Sequence, residues 1–524
     1  MRRSLLLSGF MATGKSTVGR RVAARAGLPF VDLDERISQR AGKSVAQIFE
    51  QDGEAHFRAL ERAELERVLA APQPEVVALG GGALLKRDLR LKALDKAVVV
   101  TLAADIPTLL GRTAHDSSRP LLRGKSPDEV EQLLAARQVA YAEAHEQVDT
   151  AGGDPSAIAE RVLEIWRRDP IAVAAGVHSY SVEVGNDFAP ARLNDVVGSA
   201  TTIVLVSDET VNALYGANYL AALSAGTRKA SSCVLAPGEE HKNVGSLERI
   251  WNHCLEHGAD RKSVLVGVGG GVVTDVTGFA AATWMRGVPW VSVPTTLLGM
   301  VDASVGGKTA VDLPKAKNCV GAFWQPKRVL CDTRQLVSET PRGTTSALAE
   351  IVKTALIGDP AMFTLLQERA ADVVARDWDL IRELVYRSIA VKARVVSEDE
   401  RETGFRAALN LGHTVGHALE ACDGFGGLTH GEAVSLGLVA ALRLGKQRGA
   451  TPQELVHATT RLLAQLGLPV DLDKRPLARA AALLGHDKKR GGSSIRFVFT
   501  SAPGSIQFQN IPLAELQTQV SGLG

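Results

Sequence analysis

Short apolar runs that end near glycine alternate with helical patterns over about the first 330 residues. Runs rich in Leu, Val and Ile lie at residues 4–8, 75–79, 97–102, 202–206 and 264–268. Strands that are buried on both faces read as continuous apolar runs, whereas half-exposed strands alternate between apolar and polar residues. The pattern therefore predicts α/β folds in which helices cover both faces of a parallel sheet.

The pattern changes after about Ser338, where long segments rich in Ala, Leu, Arg and Glu carry few strand signals. Residues 362–375 and 380–396 have the periodicity of amphipathic helices. One late pair of strands is predicted at 495–500 and 505–509, joined by Pro503 and Gly504. We expect the last part of the chain to be mainly helical.

The length of 524 residues exceeds what one hydrophobic core supports, since single cores rarely grow past roughly 250–300 residues. A helical pattern at 157–168 is stopped by Asp169 and Pro170, and a new strand begins at Tyr180. We therefore predict a first unit at 1–168, a linker at 169–177 and a second unit at 178–524. The second unit is expected to split into an α/β half (178–337) and a helical half (338–524).

The composition mainly excludes classes of partner and of location. Sixty Lys and Arg against 58 Asp and Glu leave a net charge of +2, so no basic excess indicates nucleic acid or a membrane surface. The five cysteines are scattered without a CxxC pair, which favours free thiols in a reducing compartment. The apolar run near Met1 stops after three leucines, and no stretch reaches the ~18 residues of a membrane helix. We expect a cytoplasmic enzyme that acts on small molecules.

A phosphate-binding motif follows the first strand. Residues 9–16 read GFMATGKS and match GxxxxGK[ST] between a strand and a helix, which is the context that the motif requires. Backbone N–H groups and a helix amino terminus present partial positive charge to phosphates there. Lys15 can bridge the β- and γ-phosphates, and the Ser16 hydroxyl can hold magnesium. The motif predicts nucleotide binding.

The residues that follow indicate what kind of molecule accepts the phosphoryl group. The sequence VDLD ends the second strand with Asp32 and Asp34, one suited to magnesium and the other to orienting a hydroxyl. Arg58 and Arg137 can clamp a small carboxylate with two hydrogen bonds each. Arg119 lies in a polar segment, 113–125, that suits a mobile lid delivering charge to the transferring phosphoryl.

With these motifs the first unit resembles shikimate kinase. The shared motifs are GFM..GKST, VDLD, FR..E, GGG, RPLL and R...Y, in that order over residues 1 to about 168. The resemblance implies that Asp34 is the base on the 3-hydroxyl of shikimate and that Lys15 and Arg119 stabilise the transferred phosphoryl. One departure is Ala12, which stands where members commonly carry glycine.

The resemblance also implies two sets of ligand-binding residues. ATP would be bound by Gly9, Ala12, Thr13, Gly14, Lys15, Ser16, Thr17 and Arg112, with Mg²⁺ on Ser16 and Asp32. Shikimate would be bound by Asp34, Arg58, Gly80, Gly81, Gly82 and Arg137.

A second glycine-rich loop, Gly269-Gly270-Gly271, follows a predicted buried strand in the second unit. Glycines at such a place allow a pyrophosphate to approach the next helix closely. The sequence departs from GxGxxG because Val272 occupies the last glycine position. From spacing alone, a dinucleotide loop and a structural turn stay equally open.

The helical half carries a candidate metal site. His413 and His417 lie at i and i+4, His430 follows after a glycine-rich loop, and Glu350 lies three residues before Lys353. One carboxylate with two histidines would leave the open position that catalytic zinc requires. The motif is not HExxH, and spacing does not decide which two of the three histidines are ligands.

These residues belong to long motifs that resemble 3-dehydroquinate synthase over about residues 178–500. The motifs include PGEEHKN, VPTTLLGMVDASVGGKTAVD, KNCVGAFWQP, LAEIVKTALI, GFRAALNLGHTVGHALE, HGEAVSLG and DKKR. The resemblance implies zinc or cobalt on Glu350, His413 and His430, with His417 as a hydrogen-bonding group in the active site. It also implies conversion of 3-deoxy-D-arabino-heptulosonate 7-phosphate to 3-dehydroquinate, with NAD acting catalytically.

Two further residue sets come with this resemblance. NAD would be lined by Asp208, Glu239, Lys242, Gly270, Gly271, Asp275, Thr295, Thr296, Asp302, Lys308 and Lys317. The substrate would be lined by Arg286, Asp302, Lys308, Asn318, Lys353, Lys392, Arg406, Asn410 and Lys488, with Lys489 as the alternative to Lys488. Lys353, Lys392, Arg406 and His417 are the expected catalytic side chains.

Other functions stay open at this point. The second unit suits a related sugar-phosphate cyclase or a polyol dehydrogenase on the same scaffold, and the first unit suits a nucleotide-binding regulatory module without turnover. We also expect a homodimer that forms through the second unit. Shikimate, ATP and the heptulosonate phosphate are the expected small-molecule partners.

Overall fold

The chain forms two units, Met1–Glu183 and Val184–Gly524. The structure is a computed structural model that describes residues 2–113, 126–224, 228–314, 316–422, 427–484 and 494–523. Arg119, Lys488 and Lys489 lie outside the described residues.

The first unit is built on a five-stranded parallel sheet in the order β2-β3-β1-β4-β5. Its strands are β1 Ser4–Gly9, β2 Phe30–Asp32, β3 Val76–Ala78, β4 Ala97–Ala103 and β5 Glu146–Asp149. Leu5 and Leu7 pack into the core on one face of the sheet and Leu6 into the core on the other. Burial on both faces explains why β1 reads as a continuous apolar run, and it confirms the predicted fold class.

Helices surround this sheet. They are Lys15–Ala26, Leu33–Ala41, Val45–Gln51, Gly53–Ala70, Arg87–Lys96, Ile106–Thr113, Pro127–Ala135, Gln138–Ala142 and Pro155–Arg168. The last helix ends where the sequence predicts, at Asp169, which adopts a left-handed conformation with φ 49°. The antiparallel strands β6 Ile171–Val173 and β7 Tyr180–Gly185 follow.

The α/β half of the second unit contains parallel strands in the order β14-β11-β10-β8-β9. These strands are β8 Thr202–Asp208, β9 Lys229–Leu235, β10 Val264–Gly269, β11 Trp290–Pro294 and β14 Arg328–Asp332; β12 Lys308–Leu313 and β13 Ala316–Phe323 form a separate antiparallel pair. The α-helices of this half are Ala189–Val197, Glu209–Val211, Ala217–Leu223, Val244–Glu256 and Gly271–Thr283. Short 3₁₀ or π turns span Asn212–Gly216, Glu239–His241, Trp284–Arg286, Gly299–Ala303 and Thr333–Ser338.

The remainder of the second unit is mainly helical, as predicted. Its helices are Pro341–Gly358, Pro360–Glu368, Ala370–Val374, Trp378–Glu398, His413–Cys422, His430–Gln447, Gln453–Gln465, Leu477–Leu483 and Leu513–Ser521, with a 3₁₀ segment at Phe405–Asn410. The predicted late strand pair is present as the antiparallel strands β15 Ser494–Ala502 and β16 Ser505–Pro512. The helix Pro341–Gly358 is buried along most of its length, which places Glu350 and Lys353 in the interior. Within the described ranges, none of the helices combines the length and apolar character needed to cross a membrane.

Candidate active sites

The phosphate loop of the first unit joins β1 to the helix Lys15–Ala26. Lys15 Nζ lies over this loop and donates hydrogen bonds to the carbonyl oxygens of Gly9 (3.0 Å) and Phe10 (2.9 Å). Thr13 Oγ1 also donates to Phe10 O, at 2.8 Å, which fixes the turn. The helix that follows has no acidic residue in its first turn, so its positive end is left for an anion.

Ala12 takes a left-handed conformation in this loop, with φ 65°. An L-residue other than glycine pays roughly 1–2 kcal/mol for that conformation. Its methyl group is buried among Phe10, Leu109 and Val130, and its carbonyl oxygen accepts a hydrogen bond of 3.2 Å from Arg112 Nη1. Arg112 therefore lies beside the loop, whereas Thr17 is exposed on the following helix.

Ser16 and Asp32 are in direct contact. Ser16 Oγ donates a hydrogen bond of 2.6 Å to Asp32 Oδ2. The other oxygen of Asp32 caps the helix Leu33–Ala41 by accepting from Asp34 N at 3.2 Å. A hydroxyl and a carboxylate beside the phosphate loop are suitable oxygen ligands for Mg²⁺.

Half-buried Asp34 and buried Glu61 both present a carboxylate oxygen to Gly80. Asp34 Oδ1 and Glu61 Oε1 are buried and find no hydrogen-bond partner among the described residues. Burial and the nearby Asp32 raise the pKa of Asp34, although Lys15 and Arg58 act in the opposite direction. Burial likewise raises the pKa of Glu61, against Arg58. An unsatisfied carboxylate oxygen of this kind can accept a proton or a hydroxyl hydrogen bond from a ligand.

The triple glycine provides space for the arginines. Arg58 Nη1 donates to Glu61 Oε2 at 2.6 Å, and a Cβ on Gly82 would lie 2.5 Å from the same nitrogen. Arg137 Nη1 donates to Gly81 O at 3.3 Å. A side chain at Gly82 would therefore displace Arg58, one of the two arginines that are expected to hold the acceptor carboxylate.

The glycine loop of the second unit precedes the helix Gly271–Thr283. Gly270 is the N-cap of that helix, and Thr295 N donates to Gly269 O at 2.9 Å. Thr296 lies against Gly270, since a Cβ there would be 3.3 Å from Thr296 Cγ2. The ends of β10 and β11 thus form one cradle at a helix amino terminus, which suits a pyrophosphate.

A buried lysine joins the expected cofactor and substrate residues. Lys242 Nζ donates to Asp275 Oδ2 (2.5 Å) and to Asn318 Oδ1 (2.6 Å). Burial raises the pKa of Asp275 to about 6, and the neighbouring Lys242 acts against that rise. Asn318 itself takes a left-handed conformation with φ 53°, stabilised by a hydrogen bond of 2.7 Å from its N–H to Asp312 Oδ1.

Four further side chains of the expected set are cationic or carry an amide. They donate hydrogen bonds to two carboxylates or to backbone oxygens. Lys392 Nζ donates to Asp302, including its backbone oxygen at 2.5 Å. Lys308 and Asn410 both contact Glu402, the latter at 2.7 Å. Buried Arg406 donates to Gly306 O at 3.1 Å, in the loop just before Lys308.

Glu350, His413 and His430, for which the family resemblance implies a metal ion, lie close together. One ligand atom from each lies within 4.8 Å of the others. Glu350 Oε1 is 3.2 Å from His430 Nε2 and 3.4 Å from His413 Nε2. A tetrahedral ion with ligand distances of about 2.1 Å has ligand-to-ligand edges of about 3.4 Å. The donor set and its spacing therefore fit a divalent transition-metal ion, and Lys353 also contacts Glu350.

The two histidines present Nε2 to the cluster because their other nitrogens are engaged. His413 Nδ1 lies 3.3 Å from Leu411 O, and His430 Nδ1 lies 3.7 Å from Glu420 Oε2. Partners of this kind fix the tautomer and ring orientation of metal-binding histidines. Burial, with the nearby Lys353, moves the pKa of His413 well below its ordinary value, so its ring is neutral.

His430 and Glu420 behave differently. Burial, which lowers the pKa of His430, is outweighed by Glu350 and Glu420, which raise it to about 10. Burial acts to raise the pKa of Glu420, but His430 and Lys317 lower it to about 2. His417 packs beside both rings, at 5.1 Å from His413 and 5.9 Å from His430, and it is not part of the three-donor group.

Two expected residues have other local roles. Asp208 accepts a hydrogen bond of 2.9 Å from Val211 N and caps the helix Glu209–Val211. Arg286 ends a 3₁₀ turn in a left-handed conformation with φ 65°, directly after Met285 at φ 50°. Nothing in these contacts joins either residue to the group around Lys242 or to the three-donor cluster.

Three residues at these sites were absent from the predicted sets. Tyr141 donates from its hydroxyl to Gly81 O at 2.7 Å, Glu402 contacts Lys308 and Asn410, and Glu420 contacts Lys317 at 2.9 Å. Glu420 lies seven residues after His413 on the same helix, so helical periodicity gives a signal for it. Glu402 lies in a loop, where periodicity gives no such signal.

Family profiles match both units. The profile described as shikimate kinase matches residues 11–167. Those described as 3-dehydroquinate synthase N-terminal and C-terminal match residues 232–346 and 347–490.

Curated relatives and a solved structure are similar to the second unit. A 3-dehydroquinate synthase of Acinetobacter baumannii (strain AYE) is 41% identical over 332 residues, which cover 63% of this chain and 92% of the relative. The same-named protein of Pelobacter propionicus is 38% identical over 355 residues, or 67% and 99%. The structure of 2-epi-5-epi-valiolone synthase from Streptomyces hygroscopicus subsp. jinggangensis, with NAD⁺ and Zn²⁺ bound, is 26% identical with a TM-score of 0.60 and covers 65% of this chain and 95% of that one.

Proposed function

We infer that one polypeptide carries two enzymes, because the chain belongs to the shikimate kinase family over its first unit and to the 3-dehydroquinate synthase family over its second. The first unit phosphorylates shikimate with ATP. The second converts 3-deoxy-D-arabino-heptulosonate 7-phosphate to 3-dehydroquinate and phosphate. The two sites are built from separate sets of residues, which supports independent activities.

In the kinase reaction the 3-hydroxyl oxygen of shikimate bonds to the γ-phosphorus of ATP while the bond to ADP breaks. Asp34 takes the hydroxyl proton, for which its unsatisfied buried Oδ1 is suited. Arg58 and Arg137 hold the shikimate carboxylate beside the triple glycine. Lys15 moves from the loop carbonyls to the β- and γ-phosphates, and Ser16 with Asp32 holds Mg²⁺. Arg119 is proposed to add positive charge at the phosphoryl group.

In the synthase reaction the protein positions a substrate that carries two anionic groups, a carboxylate and a phosphate, and the overall reaction involves no net oxidation. When bound, NAD supplies reversible hydride acceptance, and zinc or cobalt on Glu350, His413 and His430 supplies Lewis acidity. Lys392, Arg406, Asn410 and Lys353 surround the substrate oxygens and its carboxylate. His417, beside the cluster but outside its donor set, is placed to hydrogen-bond the substrate or move a proton. Lys242, Asp275 and Asn318 hold the cofactor against the substrate.

The converging donors of Glu350, His413 and His430 carry the synthase proposal. The related sugar-phosphate cyclase and the polyol dehydrogenase are less favoured, since the synthase relatives are 41% and 38% identical and the valiolone synthase is 26% identical. Incubation of the full chain with the heptulosonate phosphate, NAD and Zn²⁺ should release phosphate and form 3-dehydroquinate. Net NADH formation from a polyol, without phosphate release, would show the dehydrogenase instead.

The kinase proposal is tested in the same preparation. Lys15→Ala should abolish ATP-dependent phosphorylation of shikimate and leave the rate of phosphate release from the heptulosonate phosphate unchanged. Magnesium-dependent ATP binding without phosphorylation of shikimate by the unaltered chain would identify a regulatory module. Loss of both activities in Lys15→Ala would contradict independent sites.

We further propose units bounded near residues 168 and 178, a cytoplasmic location and a homodimer through the second unit. The balanced net charge of +2 supports small-molecule partners rather than nucleic acid or a membrane surface. Sedimentation of the full chain tests the dimer.

A further inference from the structure

Glu420 contacts side chains that serve two different binding functions. Its Oε1 accepts a hydrogen bond of 2.9 Å from Lys317 Nζ, and its Oε2 lies 3.7 Å from His430 Nδ1. The carboxylate is buried, on the helix that also carries His413. A single ionised group thus spans the interval between a strand of the α/β half and the three-donor cluster.

Each partner of Glu420 continues toward a different ligand. Lys317 Nζ lies 3.9 Å from Glu239 Oε1, and both of these residues are among those proposed for NAD. His430 presents its Nε2 to Glu350 at 3.2 Å, where the metal ion is proposed. The contacts therefore form one continuous chain, from Glu239 through Lys317, Glu420 and His430 to Glu350.

We propose that Glu420 is a positioning residue that couples NAD binding to metal binding. The proposal rests on the function proposed for the second unit. A dication on His430 Nε2 leaves the ring proton on Nδ1, facing Glu420, and adds positive charge on that side of the carboxylate. Glu420 then holds Lys317 less tightly, and the lysine ammonium becomes available to the anionic dinucleotide. Metal binding should therefore strengthen NAD binding.

Linkage makes this effect reciprocal and measurable. Coupling between two ligands typically changes each affinity by about 5–150-fold, by the same factor in both directions. Loss of the partner of a metal-bound histidine typically lowers metal affinity about 10–100-fold. Loss of a side chain that only stabilised the fold would weaken NAD binding by the same factor with and without Zn²⁺. The ratio of the two NAD dissociation constants would then stay unchanged.

The test measures the Kd of NAD for the full chain, stripped of metal and dinucleotide, with and without saturating Zn²⁺. His253, Glu256 and His257 also bring donor atoms within 4.8 Å of one another on the surface, so every variant carries His257→Ala to exclude zinc binding there. The parent protein should bind NAD at least about 5-fold more tightly with Zn²⁺. In Glu420→Gln this ratio should fall to about one, and zinc affinity should fall about 10–100-fold.

Lys317→Met separates coupling from folding. It removes the connection to the dinucleotide but leaves Glu420 beside His430, so the ratio should fall to one while zinc affinity does not fall, in contrast to the loss expected for Glu420→Gln. Exposed Glu454→Gln, in the same unit, should keep the full ratio.

A ratio retained in Glu420→Gln or Lys317→Met, or a ratio of one in a parent protein that binds both ligands, would overturn the coupling alone. A parent protein that binds neither NAD nor Zn²⁺ would overturn the proposed synthase function and the coupling with it.

Discussion

Ser16 Oγ and Asp32 Oδ2 are joined by a hydrogen bond of 2.6 Å between the helix after the phosphate loop and the end of the second strand. Because the loop motif and the VDLD motif meet at this contact, we expect the nucleotide and its Mg²⁺ to bind next to each other. Asp32 has a second task, since its other oxygen caps the helix that carries Asp34.

Asp32→Asn should raise the Mg²⁺ concentration for half-maximal kinase activity by about 10–100-fold, because the amide keeps the shape of the side chain but lacks its charge. Kinase assays over a Mg²⁺ series measure this, with Asp52→Asn on the surface of the same unit as the control. An unchanged Mg²⁺ requirement would exclude Asp32 as a ligand.

Asp34 should set the acidic limb of the kinase pH profile. Burial and Asp32 raise the pKa of Asp34, so the base becomes protonated, and kcat/KM falls, at a higher pH than for an ordinary aspartate. Arg58 lowers the pKa of Asp34, and Arg58→Met should therefore move this limb further toward neutral pH. The profile is measured as kcat/KM, which reports the ionisation of the enzyme without substrate, and the position of the limb is compared rather than its height, since Arg58 is also proposed to bind shikimate. Arg62→Met, on the same helix, should leave the limb unchanged.

Asp34→Asn should lower kinase activity about 10²–10⁴-fold and yet stabilise the first unit at neutral pH. The sign follows from linkage: the folded pKa lies above the unfolded one, so above both values the ionised carboxylate opposes folding. Thermal unfolding at pH 7 measures the change. A lower Tm for Asp34→Asn would contradict this account of the site.

Much of the fold could be predicted because strands that are buried on both faces consist of continuous apolar runs in the sequence. The run at 97–102 became β4 Ala97–Ala103, and the late strands appeared within two or three residues of their predicted ends. The single helix predicted at 362–375 is instead two helices, Pro360–Glu368 and Ala370–Val374. Asp377 and Arg369 pair across the shorter helix, and such contacts between side chains leave no periodic signal.

The candidate sites divide in the same way. Local motifs placed Lys15, Ser16 and Asp32 together, because all three lie next to strand ends. Spacing alone did not choose among His413, His417 and His430, since the choice depends on how a helix packs against Glu350 from another helix. Contacts such as that between Glu402 and Asn410 arise from loop conformation, which the apolar pattern does not encode.

Ala12 should tolerate glycine but not a β-branched residue. Replacing the left-handed alanine by glycine removes roughly 1–2 kcal/mol of backbone strain from the folded state. Against this, glycine stabilises the unfolded chain by roughly 0.4–1 kcal/mol through its greater conformational entropy, and the folded state loses a buried methyl group worth about 0.8 kcal/mol. These terms nearly cancel, so Ala12→Gly should change the free energy of unfolding by less than about 0.5 kcal/mol. Ala12→Val should destabilise the first unit by more than about 1 kcal/mol. Denaturant unfolding of both variants checks the contrast, and equal effects would contradict the strain.

Metal removal should separate the two activities and identify the ligands. After chelation and dialysis, Mg²⁺ alone should restore the kinase, and Zn²⁺ or Co²⁺ should be required for the synthase.

His413→Ala and His430→Ala, each in the His257→Ala background, should lose tightly bound zinc because each removes one of three converging donors. His417→Ala should keep its zinc and still lose synthase activity, since its ring lies beside the cluster without belonging to the donor set. Elemental analysis of each dialysed variant, with phosphate release measured in parallel, distinguishes the two classes. Zinc loss in His417→Ala together with retention in His413→Ala would replace His413 by His417 as the ligand.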